Sequence, residues 1–152
     1  MAIIVREVSD DDLPRAVEIE AAAYADNPLA PLFFPGPFPP ESRQQSISHL
    51  IDTRKNNPSV KYLQAYDEET GQMVAFAKWS IYETHEAAAA SQRPIRTFGP
   101  GTNPEACQAF FGTLASKKKE LMGDKPHLCK SRPHLHYELH ALICDRSSIA
   151  AH

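Results

Sequence analysis

The densest chemistry in the chain lies in residues 134–144, HLHYELHALIC. His134, His136, Glu138 and His140 occupy every second position. Alternation on a strand sends such residues to one face, about 6.6–7 Å apart between successive members. Two histidines at i, i+2 can share a zinc ion, with a carboxylate joining them or acting as base. That would make a metal-binding module of His134, His136 and His140, with Cys129 and Cys144 as possible thiolate ligands. No spacing here matches CxxC or HExxH, so no metal site is assigned. The other reading uses Glu138 as a general base. A carboxylate partly withdrawn from water has a raised pKa and can take a proton from an amine, with His140, which titrates near neutrality, assisting. A structural role for these polar residues stands beside both. Nucleophilic catalysis by Cys107, Cys129 or Cys144 finds no basic or glycine-rich surroundings that would lower a thiol pKa.

These residues need a scaffold, and the pattern of the chain supplies one. Residues 2–8 (AIIVREV) alternate as a first strand. In the next segment, a helix, Leu13, Ala16, Val17, Ala21 and Tyr24 fall at i, i+3, i+4, i+8 and i+11, and Pro14 places its cap near Asp10 or Asp11. Residues 26–40, DNPLAPLFFPGPFPP, hold six prolines and are read as irregular. Their Leu29, Leu32, Phe33, Phe34 and Phe38 must cover either the core or a ligand. Residues 41–55 predict a second helix with Ile47, Leu50 and Ile51 inward. VKYLQAY (60–66) and QMVAFAKWSIY (72–82), joined by DEETG, predict an antiparallel hairpin. Strict alternation puts Val74, Phe76, Lys78 and Ser80 on one face and Met73, Ala75, Ala77, Trp79 and Ile81 on the other. Residues 84–102 read as a mobile loop. Asn103-Pro104-Glu105 starts a helix ending at Gly123, with Cys107, Phe110, Phe111, Leu114, Ala115, Leu121 and Met122 on one face. The last strand is 134–144. The order β-α-α-β-β-α-β gives an α/β (α+β) chain with a mixed β-sheet and flanking helices.

The 152 residues carry a formal charge of −3, which argues against a general nucleic-acid binder. The sequence has no run of 18 apolar residues for a membrane span and no basic leader before its acidic start. Three scattered cysteines fit a reducing compartment, so a cytoplasmic location is expected.

Taken in order, these pieces resemble the GNAT superfamily of N-acetyltransferases, and within it the fungal proteins of that type. VREVSDDDLPRAVEIEAAAYADNP is similar to their first strand and helix. VKYLQAYDEETGQMVAFAKWSIY is similar to their second and third strands, GTNPEACQAFFGTLASKKKELMGDKPH to the helix the fungal members insert, and YELHALICD to their fourth strand. The resemblance implies acetyl transfer from acetyl-CoA to a small-molecule amine. Glu138 then falls at the general base of the histone-acetyltransferase-type members, with His140 beside it. Leu142, Ile143 and Cys144 fall where the fourth strand pairs with the pantetheine arm, and Phe33, Phe34 and Trp79 on the acceptor side. The family's next feature, Q/R-x-x-G-x-G/A, holds the CoA pyrophosphate on backbone N–H groups. Here the residues after Asp145 read RSSIAAH. The expectation is therefore a partial acetyltransferase domain over 1–145, a short unrelated tail over 146–152, and a missing C-terminal half. Weak CoA binding is expected as a result, with Leu142 and Ile143 under-buried. The competing expectation is a non-catalytic fragment that pairs, as a homodimer or on a partner, through the open edge of its last strand.

Overall fold

A computed structural model describes residues 2–91, 98–130 and 134–135. Strand β1 (Ile3–Glu7) leads to α1 (Leu13–Tyr24), the single turn α2 (Ala30–Phe33) and α3 (Ser42–Asn56). The hairpin β2 (Val60–Asp67) and β3 (Gln72–Tyr82) comes next, then α4 (His85–Ala90). A longer helical rod consists of α5 (Pro104–Cys107), a π-helical turn (Gln108–Gly112) and α6 (Thr113–Met122), and β4 (His127–Lys130) and β5 (His134–Leu135) come after it. The sheet runs β1-β2-β3-β4, with β5 also on β3, and every pairing is antiparallel. An antiparallel sheet with flanking helices is the mixed architecture that the sequence pattern predicts.

The core forms where α1 and α3 cover one face of this sheet. Leu13, Ala16 and Ile19 of α1 meet Ile47 and Leu50 of α3, with Val8, Val60, Tyr62, Met73 and Phe76 beneath. Burying each large side chain of this group stabilises the fold by roughly 1.5–3 kcal/mol. Tyr62 is buried as well, and its hydroxyl donates to the Leu50 carbonyl at 2.9 Å, tying β2 to α3. Burial pushes the Tyr62 phenol above its ordinary value.

The start of α1 departs from expectation in a specific way. Its cap position is Asp12, and the Asp12 carboxylate does not bond the first helical N–H groups. Instead it accepts from the Ser9 N–H (3.0 Å), the Ser9 hydroxyl (2.8 Å) and the Nε2 of buried Gln64 (2.8 Å). Partial burial raises the Asp12 pKa. The bonds from Ser9 and Gln64 and the charge of Arg6 outweigh it and leave the carboxyl below its ordinary value.

Five further departures have physical causes. Within 26–40, residues 30–33 close one helical turn, because Pro31 stands in its first turn, where no N–H is needed. The hairpin carries a bulge: Ala65 pairs with Ala75 but Tyr66 pairs with Met73, leaving Val74 as the extra residue. Met73 and Phe76 therefore both enter the core, which strict alternation forbids. The expected loop 84–102 starts as a helix, because the Thr84 hydroxyl accepts from the Ala87 N–H at 3.1 Å and caps α4; residues 92–97 lie outside the described residues. The single apolar face expected along 104–122 is broken by the π turn, whose wider winding rotates the residues of α6 away from the phase set by α5. Cys107 is fully buried, whereas Leu121 is 67% exposed and Leu114 is also exposed. Finally, β4 occupies residues 127–130, ahead of the strand expected at 134–144; of that span only 134–135 is described, opposite Phe76 and Ala75.

Candidate functional site

Of the residues expected to carry chemistry, Glu138, His140, Leu142, Ile143 and Cys144 lie outside the described residues, as does His136. His134 is described only as a strand position opposite Phe76. Among the described residues no group of three or more His, Cys, Asp or Glu side chains is placed to hold a metal.

The three expected acceptor residues, Phe33, Phe34 and Trp79, are all placed. Phe33 closes α2 and is only 8% exposed. Its ring lies 5.1 Å from Phe110, 5.6 Å from Phe111 and 6.2 Å edge-on from Phe34. Phe98 extends the group, 6.4 Å from Phe111. These separations are within the range of favourable aromatic pairs. The backbone fixes the same junction. The Phe33 carbonyl accepts from the Asn103 N–H at 2.9 Å and faces the Cys107 Sγ at 3.5 Å. Gly36 N–H donates to the Gly101 carbonyl at 3.0 Å. Gly101 has φ +81°, and a Cβ there would stand 2.8 Å from the Phe38 ring and 2.9 Å from the Pro37 carbonyl oxygen. Only glycine fits this clasp. Asn103 completes it by accepting from the Ala106 N–H at 3.2 Å and starting α5.

Phe33 is thus a buried keystone and Phe34, 42% exposed, is the ring that reaches the surface. Phe38, Phe110, Leu29 and Leu32 are exposed with it. The result is an apolar shelf made by two segments far apart in sequence. Trp79 is half-buried on β3, opposite Lys61 of β2, and alternates with buried Ser80. The rings packed on Phe33 include Phe34, Phe110 and Phe111, so the structure brings Phe33 and Phe34 into one cluster. The paired sequences Phe33-Phe34 and Phe110-Phe111 were the available signal for Phe110 and Phe111.

A second cluster was not anticipated. Tyr82, buried at the end of β3, packs against His127 of β4 with ring centroids 4.8 Å apart and planes tilted by 48°. The Lys118 Nζ lies 5.1 Å over the Tyr82 ring. His127 Nδ1 lies 2.7 Å from the Lys125 carbonyl oxygen, and its Nε2 is buried with no hydrogen-bond partner among the described residues. A neutral imidazole here donates through Nδ1 and presents Nε2 as a proton acceptor. Nearby, His85 Nδ1 lies 3.5 Å from Asp124 Oδ2. The signal for this cluster is weak in sequence, because it depends on recognising β4.

The coenzyme expected from the sequence requires an anion-binding turn. One Arg-x-x-Gly-x-Gly run does occur, at 96–101, between β3 and α5 rather than after a strand. Its Gly101 carbonyl and the Asn103 N–H just beyond it are engaged in the clasp, and Pro100 has no N–H to offer. Residues 96–97 of this run, and residues 146–152 where the turn is expected from the sequence, lie outside the described residues.

No family model matches the sequence, and no curated protein matches it. Solved structures do. The chain is similar to a structure titled histone acetyltransferase HPA2 and related acetyltransferase, from Corynebacterium glutamicum. The identity is 16% and the TM-score 0.50, over 99% of this chain and 73% of that one. A mosquito arylalkylamine N-acetyltransferase like 5b gives 13% identity and a TM-score of 0.49 over the same shares. A predicted acetyltransferase with acetyl-CoA, from Clostridium acetobutylicum, gives 13% and 0.40 over 83% of this chain and 77% of that one. The first of these shows the fold: the chain is built as an acetyltransferase fold is built.

Proposed function

We propose that this chain is a GNAT-type N-acetyltransferase that moves an acetyl group from acetyl-CoA to a small-molecule amine. The observation that supports this reading is the fold itself, an antiparallel β1-β2-β3-β4 sheet with α1 and α3 on one face, matched to an acetyltransferase over nearly the whole chain. In this reading Glu138 takes a proton from the acceptor ammonium and His140 assists. Leu142, Ile143 and Cys144 offer their backbone to the pantetheine arm. Phe34, held out by buried Phe33, lines the acceptor side, and Trp79 contributes from β3. Residues 1–145 form the acetyltransferase part and 146–152 a tail of different character. The reading places the chain in the cytoplasm on its three scattered cysteines; among the described residues no helix is long and apolar enough to cross a membrane.

Weak acetyl-CoA binding goes with this reading, because RSSIAAH after Asp145 does not match Q/R-x-x-G-x-G/A. The direct test is release of CoA thiol from acetyl-CoA in the presence of a panel of amines. Thiol release that depends on an amine and falls at least tenfold in Glu138→Gln supports the reading. Release no faster than in buffer, with every amine, refutes it. Tight acetyl-CoA binding by calorimetry would refute the expected weakness. The DNA just past the Asp145 codon tests the domain assignment, since a Q-x-x-G-x-G-like frame there would supply the missing turn.

A further inference from the structure

Strand β1 stands at one end of the sheet, with β2 on one side and, among the described residues, no strand on the other. No helix covers it either, and all five of its residues are exposed; Val5 is 71% exposed. Its hydrogen bonds show which backbone groups face outward. The Ala2 carbonyl accepts from the Glu68 N–H and the Val8 N–H donates to the Tyr62 carbonyl, in the register that pairs Ile4 with Tyr66. Even-numbered residues thus point their N–H and C=O groups at β2. In an antiparallel ladder the alternate residues direct theirs the other way, so Ile3 and Val5 aim theirs at the open edge. Edge strands are usually blunted by charge, proline or brevity. Here the stretch Ala2-Ile3-Ile4-Val5 carries no charge and no proline, and Arg6 and Glu7 stand only at its end.

We infer that the outer edge of β1 pairs antiparallel with β1 of a second copy, around a two-fold axis at Ile4, joining two sheets into one. A symmetric pairing of a strand with itself keeps each face of the sheet continuous only when the axis passes through a residue. An axis at Val5 would set Ile4 against Arg6 and Ile3 against Glu7 of the other copy. An axis at Ile4 sets Ile3 against Val5, Ile4 against Ile4 and Val5 against Ile3, apolar on apolar, with Arg6 opposite the small Ala2 at either end. It also makes Ile3–Val5 the hydrogen-bonded pairs, using the outward groups, and Ile4–Ile4 the non-hydrogen-bonded pair. Within the strand Ile3–Glu7 an axis at Ile3 pairs only Ile3 with itself, so the Ile4-centred register is the one that sets apolar strand residues against each other, and this favours a second copy as the occupant.

Three variants test it on the full chain. Wild type is expected to sediment at twice the chain mass. Val5→Pro removes an outward N–H and no β1–β2 bond, so it is expected to keep the wild-type circular dichroism and run at the chain mass. In the Ile4-centred register two Ile4 Cα atoms stand about 4.5 Å apart, within disulfide reach. Two Val5 Cα atoms stand roughly 7–8 Å apart, as diagonal neighbours, beyond it. Under mild oxidation Ile4→Cys should cross-link to a dimer, and Val5→Cys should cross-link no more than wild type. A wild type that stays at the chain mass up to its solubility limit overturns the inference. So does a folded Val5→Pro that remains dimeric, or preferential cross-linking of Val5→Cys. Should Val5→Pro fail to fold, the two cysteine variants, which leave the ladder intact, decide the matter.

Discussion

Truncating Phe33 removes the ring that joins α2 to the α5–α6 rod. Phe33 is almost fully buried, and three aromatic neighbours surround it at 5.1–6.2 Å. A phenylalanine removed from such a site costs about 3–5 kcal/mol, part of it transfer free energy and part the cavity left behind. The three ring pairs, at roughly 0.5–1.5 kcal/mol each, belong within that figure. A domain of this size has about 5–15 kcal/mol of total stability, and 1 kcal/mol shifts its melting temperature by roughly 2–4 °C. Phe33→Ala should therefore lower the melting temperature by on the order of 10 °C and shift the urea midpoint without raising the slope. Phe34→Ala, next in sequence but half out in solvent, should cost under about 1 kcal/mol. Differential scanning calorimetry and urea titration of the pair give the answer. Equal losses in the two variants, or a Phe33→Ala protein within about 1 kcal/mol of wild type, would refute the assignment of Phe33 as a packing residue and Phe34 as a surface one.

Other perturbations probe other joints of the molecule. Gly101→Ala places a Cβ against Phe38 and Pro37 in a left-handed backbone conformation, so it should cost at least about 1–2 kcal/mol in urea unfolding; an alanine variant as stable as wild type would show that the clasp is absent. Tyr62→Phe removes a second donor to the Leu50 carbonyl, which lies within α3, and should cost about 0.5–1.5 kcal/mol by the same measurement. Asp12→Asn tests the acid limb. The Asp12 carboxyl is depressed in the folded state, so its contribution is present above the unfolded value of about 3.9 and is lost as pH falls through the lower folded value. The stability gap between wild type and Asp12→Asn should hold at neutral pH and close as the solution is acidified below the unfolded value. A gap independent of pH would refute the hydrogen-bonded carboxylate.

Much of the scaffold can be read from local pattern. The helix Leu13–Tyr24 forms over the predicted span with Leu13 and Ala16 inward, although Ile19 rather than Ala21 and Tyr24 completes its buried face; Asn103 caps α5, and VKYLQAY and QMVAFAKWSIY pair as a hairpin. These features depend on neighbours within a turn or two. What escaped depends on partners distant in sequence. The bulge at Val74 answers to the core, not to its own alternation. Burial of Phe33 depends on Phe110 and Phe111, nearly eighty residues away, and β4 is defined by its pairing with β3. The apolar shelf was half legible: Phe33 and Phe34 were recognised as rings needing cover, but which one is covered is decided by the far segment. Cys107 was legible as a buried residue, since an Asn-Pro start fixes the helical phase for its first turn; the π turn after it undoes that phase for Leu114 and Leu121.

The extra residue in β3 also governs how the hairpin can zip. A bulge works as an index mark on an otherwise uniform pair of strands. If β3 slid by one residue along β2, Met73 and Phe76 would be carried together out of the apolar layer, rather than one replacing the other. Misalignment would forfeit both anchors at once, and no neighbouring alignment recovers either of them. The irregularity thus sharpens the choice of a single pairing, in the strand on which β2, β4 and β5 all align.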